Sequence, residues 1–239
     1  MTYTKLNENP GGVSHMRKGE AKRQEMLAAA EKLFCTKGYD ATSVQDILDV
    51  LHASKGGFYH HFASKEEVLQ TLCAQRAARM TDFAQTALAA SGSAMERINA
   101  VLYAYMPMRR DEAEFIAMLL PLILRSEGRA MAMLYQDELR AGFLPLLQRT
   151  VASAADEAVV FPAVKGIEAM LLQLVNGCWL EIACEIAKAP QRVDTAVLLT
   201  LLERYRRAVE VLLDAPYGSI ELIGVQELDE VVRRLAHAL

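Results

Sequence analysis

Lys55, Tyr59, His60 and His61 fall within seven consecutive positions and share them with Gly56 and Gly57. An ammonium, a phenol and imidazoles are hydrogen-bonding groups suited to phosphate oxygens and base edges. The two glycines add a stretch where backbone can approach such a surface closely. Other chemistries fit the chain less well. Helical neighbours point about 100° apart, so His60 and His61 do not readily share a metal ion, and no third ligand lies near. They read instead as one DNA-facing and one packed residue. No metal and no cofactor is expected. There is no GxSxG, P-loop or HExxH motif and no paired carboxylates on a recognisable frame, so no enzyme is expected. Asp111, Glu112 and Glu114, after Arg109-Arg110, read as a capped, solvated helix start.

The elements around these residues form a helix-turn-helix pattern over Gly38–Leu69. A first helix is predicted over about Glu20–Lys37, with Met26, Leu27, Ala30, Leu33 and Phe34 at the 3.6-residue period. Gly38 follows where a left-handed residue is wanted, and Tyr39 plugs back onto the helix. A second helix covers about Val44–Leu51, buried through Val44, Ile47, Leu48 and Leu51. Thr42 and Ser43 are its N-cap candidates; Gln45 or Asp46 can close a capping box. His52-Ala53-Ser54 make the turn, and Ser54 caps a third helix over Lys55 to about His61. Two glycines cost that short helix about 1 kcal/mol each relative to alanine. Phe58 and Phe62 must therefore anchor it, which turns Lys55, Gly56, Tyr59 and His60 outward. Ser64 and Glu67 form a second capping box and start a long helix reaching about Ala90.

The fold expected is all-α: a three-helix DNA-binding head with a helix-turn-helix, linked by a long helix to a larger C-terminal helical bundle. Residues 1–18 read as a disordered tail, 19–66 as the head and 67–239 as a ligand-binding and dimerisation body. Helix formers dominate the 239 residues, and no sustained alternating β-branched run occurs. Net charge is -4, yet residues 1–80 hold 11 Lys and Arg against 9 Asp and Glu, while 81–239 hold 15 against 21. Any polyanion contact therefore belongs near the N-terminus. Cys35, Cys73, Cys178 and Cys184 form no CxxC pair and read as free, mostly buried thiols, with a redox sensor as the alternative. No signal peptide is evident. The longest apolar patch, Ile116–Leu124, is too short to span a membrane and contains Pro121. A soluble, cytoplasmic protein with no membrane partner is expected.

Six body helices are predicted, at about 94–107, 111–126, 129–154, 162–187, 193–213 and 220–238, with kinks or breaks at Pro121 and Pro145. The helix at 162–187 is apolar nearly all round. Together with 193–213 it offers more apolar surface than one small bundle absorbs, so these two helices are expected to pair a homodimer. Tyr105, Met106, Phe115, Met118, Tyr135 and Trp179 are candidates for an apolar pocket that takes an apolar or aromatic small-molecule effector; each is also ordinary core material. Glu181 and Glu185 near Trp179 would suit a cationic ligand, or serve as solvated or interface charges.

Residues Glu20–Leu69 resemble the tetracycline-repressor-like (TetR/AcrR) family of bacterial transcription regulators. The resemblance rests on Ala29–Phe34, Lys37-Gly38-Tyr39, Thr42-Ser43-Val44, Asp46-Ile47, Ser54-Lys55-Gly56, Phe58-Tyr59, His61-Phe62 and Lys65-Glu66. It covers the head only. It implies a homodimeric repressor on a palindromic double-stranded DNA operator and an effector pocket in the body. It also implies DNA contacts at Ser43, Gln45, Lys55, Gly57, Tyr59, His60, His61 and Lys65, beside the outward-facing Gly56. On this reading Gln45 and Lys55 meet base edges, while Tyr59 and Lys65 hold phosphates. Two departures stand out: His52 replaces the family's usual turn glycine, and Gly57 often carries a side chain in relatives. The alternatives are a helical ligand-binding or adaptor protein that keeps the head unused, or an enzyme.

Overall fold

The computed structural model describes residues 11–109, 112–125 and 129–238, and among these it is helical with no strand. The order is α1 (Gly11–Lys37), α2 (Val44–Leu51), α3 (Lys55–Tyr59), α4 (Lys65–Ala90), α5 (Ala94–Tyr105), α6 (Ala113–Ile123), α7 (Arg129–Asp156), α8 (Glu168–Lys188), α9 (Thr195–Leu213) and α10 (Val225–Ala238), with a 3-10 turn at Pro190–Arg192. The chain divides into two compact units, Met1–Leu72 and Cys73–Leu239. That boundary lies six residues beyond the one expected from sequence, inside the continuous helix α4.

In the N-terminal unit, the periodic apolar positions close one core. Met26, Leu27, Ala30 and Phe34 of α1 are buried with Ile47, Leu48, Phe58, Phe62, Val68, Leu69 and Leu72. Gly38 takes φ 89° after α1 and its N–H donates to the Phe34 carbonyl at 3.1 Å. Tyr39 then lays its ring edge on Phe34, centroids 5.0 Å apart. The buried Thr42 hydroxyl donates to the Gly38 carbonyl at 2.8 Å, fixing the approach to α2. Helix α1 begins at Gly11, not near Glu20; the intervening Met16, Arg17 and Lys18 are helix formers. The rest of the expected tail, residues 1–10, lies outside the described residues.

In the C-terminal unit, α5 packs on α7, α6 on α10 and α8 on α9. Ile98, Val101, Phe115, Leu119, Phe143, Leu147, Leu171, Val175, Ile182, Val209, Val231 and Leu235 are buried there. Both prolines expected to kink or break helices lie within continuous helices. Pro121 sits in the last turn of α6. Pro145 lies mid-helix on the exposed side of α7, where water can satisfy the Ala141 carbonyl that it leaves unpaired. Helix α8 starts at Glu168 and not at 162, because Gly166 takes φ 77°, which a helix cannot contain. By length and composition α8 could cross a membrane, although half of its apolar window is buried inside the protein. It is thus a longer apolar segment than Ile116–Leu124; Asn176 and Glu181 interrupt its sequence without offsetting its leucines. The buried Glu210 carboxylate accepts from the Gly218 backbone at 2.8 Å and from Arg207 at 3.0 Å, tying the turn after α9 to that helix.

Candidate nucleic-acid interface

Helix α2 starts on a closed capping box. Ser43, in extended conformation, accepts from the Asp46 backbone N–H at 3.1 Å, and Asp46 accepts from the Ser43 N–H at 2.7 Å and from its hydroxyl at 2.6 Å. Of the two sequence candidates for the box, Asp46 fills the role and Gln45 does not. Lys37 adds an ion pair to Asp46 at 2.7 Å. Those bonds, Lys37 first and Ser43 next, hold the Asp46 carboxyl well below the usual carboxylate range. Gln45 is free of the box and lies exposed, donating from Nε2 to Asp49 Oδ1 at 2.7 Å.

The turn closes through His52, which takes φ 49° and ψ 40° at the C-cap of α2. This is the left-handed conformation for which a glycine would be expected, and His is among the residues that tolerate it better than most. Ser54 then caps α3, its hydroxyl accepting from the Gly57 N–H at 3.2 Å. With one turn of helix, α3 depends on its anchors. Phe58 and Phe62 are fully buried with centroids 5.9 Å apart, and Arg23 of α1 stacks over the Phe62 ring at 4.8 Å. The opposite side of α3 is open: Lys55, Gly56, Tyr59 and His60 are exposed, and Gly57 and His61 are half-buried. Tyr59 remains 57% exposed while its ring rests edge-on against Phe58. A methyl group built on Gly56 meets nothing within 4 Å, and one on Gly57 only touches Ser54 Oγ at 3.4 Å. The protein's own packing therefore requires neither glycine. The His60 and His61 rings meet edge to face at 4.9 Å.

Lys65, at the start of α4, has a structural task. Its ammonium donates to the Tyr39 carbonyl at 2.8 Å and the Thr42 carbonyl at 2.9 Å, and lies 4.1 Å from the Tyr39 ring centroid. It straps the α1–α2 connection to α4 and keeps one proton for another acceptor. Ser64 caps α4 by accepting from the Glu67 N–H at 3.2 Å, while the Glu67 carboxylate accepts from the Ala63 N–H at 2.6 Å, one residue before the cap, and not from Ser64 as the expected capping box would have it. Sequence reasoning missed the Lys65 strap because its partners stand 23 and 26 residues away. It also passed over Asp49, although the Gln45/Asp49 spacing of four on a helix was a readable signal.

The six pocket candidates of the body are all buried. Tyr105 meets Phe143 at 5.2 Å, Phe115 meets Tyr135 at 6.2 Å, and Trp179 donates to Asn176 at 2.9 Å. Burial pushes the Tyr105 hydroxyl up to about 12. None of the six lines any of three open grooves among the described residues of this unit. These measure about 910 Å³ between α9 and Glu221–Val225, 460 Å³ on α8 and α9, and 600 Å³ beside Phe83 and Tyr103. Glu181 is held by Arg204 at 2.8 Å and Tyr205 at 2.9 Å, so it is a surface pair rather than a lone anion. Burial raises the Cys73 and Cys178 thiols to about 12, while Cys35 and Cys184 are half-buried.

A capped two-helix turn with an anchored, outward-facing second helix is a helix-turn-helix of the DNA-binding kind. Residues 26–72 match the model of the bacterial regulatory proteins of the tetR family. The chain is 44% identical over 52 residues to the HTH-type transcriptional repressor KstR2 of Mycobacterium tuberculosis, covering 22% of this chain and 26% of the relative. It is 26% identical over 174 residues to the TetC protein of transposon Tn10 from Escherichia coli, covering 72% of this chain and 83% of the relative. The match spans about a quarter to a third of the length of the first curated relatives. In fold the chain is similar to a TetR-family transcriptional regulator from Pectobacterium atrosepticum, with TM-score 0.59, 23% identity and coverage of 84% and 98% of the two chains.

Proposed function

We propose that the protein is a cytoplasmic, homodimeric transcriptional repressor that binds a palindromic operator through α3 and the start of α2, and leaves it when an apolar or aromatic small molecule binds the body. The observation that carries this reading is the exposed face of α3. Lys55, Gly56, Tyr59 and His60 face solvent from a helix whose other side is locked by Phe58 and Phe62. Lys55 and Gln45 read base edges, and Tyr59 holds a phosphate. Ser43 lies at the positive end of α2, and Lys65 offers its remaining proton to the DNA backbone. His60 and His61 flank the same contact.

Dimerisation uses α8 and α9. Met170 is about half exposed at the 460 Å³ groove, and Val197 and Val211 are about half exposed on α9, apolar surface that a second copy would cover. The effector would enter among the buried aromatic side chains of the body, such as the Phe115/Tyr135 or Tyr105/Phe143 pair, and separate rings that now touch.

Selection of bound sequences from a random DNA pool, followed by fluorescence anisotropy, tests the proposal. The expected result is an inverted repeat with half-sites about 10 bp apart or a multiple of that. Affinity should fall when one half-site is scrambled. A pool from which no sequence is enriched would overturn it. Thermal-shift screening across apolar and aromatic compounds tests the effector; a hit should also weaken operator binding.

A further inference from the structure

We propose that Asp49 is a positioning residue that orients the amide of Gln45, so that the head reads adenine at the base pair Gln45 faces. The proposal rests on the DNA-binding reading above. Both residues are exposed on the same side of α2, one turn apart, and Gln45 Nε2 lies 2.7 Å from Asp49 Oδ1. An ionised carboxylate only accepts hydrogen bonds. The amide can therefore meet Asp49 in one sense only, nitrogen towards the carboxylate. The flipped amide would set Oε1 against a carboxylate oxygen.

That orientation has a consequence for base readout. One amide proton goes to Asp49. Oε1 and the second amide proton remain for a ligand, an acceptor beside a donor. Adenine presents the complementary pair in the major groove, the N6 amine and the N7 acceptor. Guanine presents two acceptors, O6 and N7, and would need Oε1 turned back onto Asp49. Thymine offers an acceptor and a methyl group. Cytosine offers a single amine and supports one bond instead of two. Without Asp49 the amide turns freely and the distinction between adenine and guanine weakens.

The test uses the full-length protein, with the same random-pool selection applied to the wild type, Gln45→Ala, Asp49→Asn and Asp49→Ala. The wild type should favour adenine at one position of each half-site, and Gln45→Ala should lose that preference. Both Asp49 variants should lower the adenine-to-guanine ratio there by about 2- to 10-fold, the range expected for one surface to partly desolvated charged hydrogen bond. The other positions and the melting temperature should be unchanged. Removing the negative charge raises affinity for all sequences alike and leaves this ratio untouched, so the readout separates positioning from bulk electrostatics. An Asp49→Asn protein with the wild-type ratio would overturn the proposal. So would a wild-type preference for guanine or thymine at that position, or a Gln45→Ala protein with an unchanged selection at every position. A wild type that enriches nothing would instead remove the DNA-binding reading, before any variant is compared.

Discussion

Replacing Gly56 by alanine separates a scaffold role of α3 from a contact role, because the two predict opposite signs. The new methyl meets no protein atom within 4 Å. Alanine is favoured over glycine inside a helix by about 1 kcal/mol, mainly through backbone entropy. The head should therefore gain up to ~1 kcal/mol, which for a unit of this size raises its melting temperature by roughly 4–8 °C. If α3 meets only solvent, DNA binding should hold or improve with that stability. If the α3 backbone lies against the operator, the methyl occupies the space of the contact and affinity should fall at least ~10-fold, about 1.4 kcal/mol. Urea unfolding and fluorescence anisotropy on the same preparation measure both quantities. A Gly56→Ala protein that is more stable and binds with wild-type affinity would refute the placement of α3 against DNA.

Lys65→Met should destabilise the head by ~1–3 kcal/mol in urea titration, since it leaves the Tyr39 and Thr42 carbonyls without their charged donor. If the third proton also serves a phosphate, the slope of log affinity against log salt should shrink by ~1.8 for the dimer, about 0.9 per head; an unchanged slope would confine Lys65 to the strap. The Asp46 carboxyl titrates below its unfolded value of about 3.9, so its stabilising effect is complete above that pH and is lost as pH falls through the folded value. Asp46→Asn should accordingly flatten the acid limb of head stability below about pH 4, followed by circular dichroism. Val211→Glu places a charge on the exposed apolar face of α9 and should raise the dimer dissociation constant at least ~10-fold in sedimentation equilibrium; an unchanged constant would move the pairing surface elsewhere. Gly142→Ala should destabilise the body by ~1–3 kcal/mol, because its methyl would lie 2.3 Å from Thr81 Oγ1.

The head was legible because its determinants are local. The caps at Ser43, Ser54 and Ser64, the left-handed residues Gly38 and His52, and the Phe58/Phe62 spacing all act within about one helical turn. Each therefore shows in the sequence as a residue type at a fixed offset. Of what escaped notice in the head, the Gln45–Asp49 pair was local and readable, and the Lys65 contacts were long-range. The Lys65 strap needs the folded chain to bring Tyr39 and Thr42 to it. The start of α8 was misplaced for a different, local reason: Gly166 takes φ 77° and ends a helical pattern that apolar periodicity alone would carry back to 162.

The body shows why apolar side chains reveal burial more readily than function. Tyr105, Met106, Phe115, Met118, Tyr135 and Trp179 are the kind of residues that line an effector pocket, and the structure buries all six, with Phe115 against Tyr135 and Tyr105 against Phe143. Composition cannot separate a filled core from a pocket closed without its ligand, because both place the same groups away from water. The polar partners are more informative. Trp179 satisfies its N–H on Asn176 and Tyr135 reaches Met80 Sδ at 3.5 Å, so neither holds a hydrogen-bonding group in reserve for a ligand in this state. An effector entering here must replace those bonds or leave them intact while displacing apolar contacts. The second route disturbs fewer buried polar groups, which is the physical reason for expecting an apolar or aromatic compound.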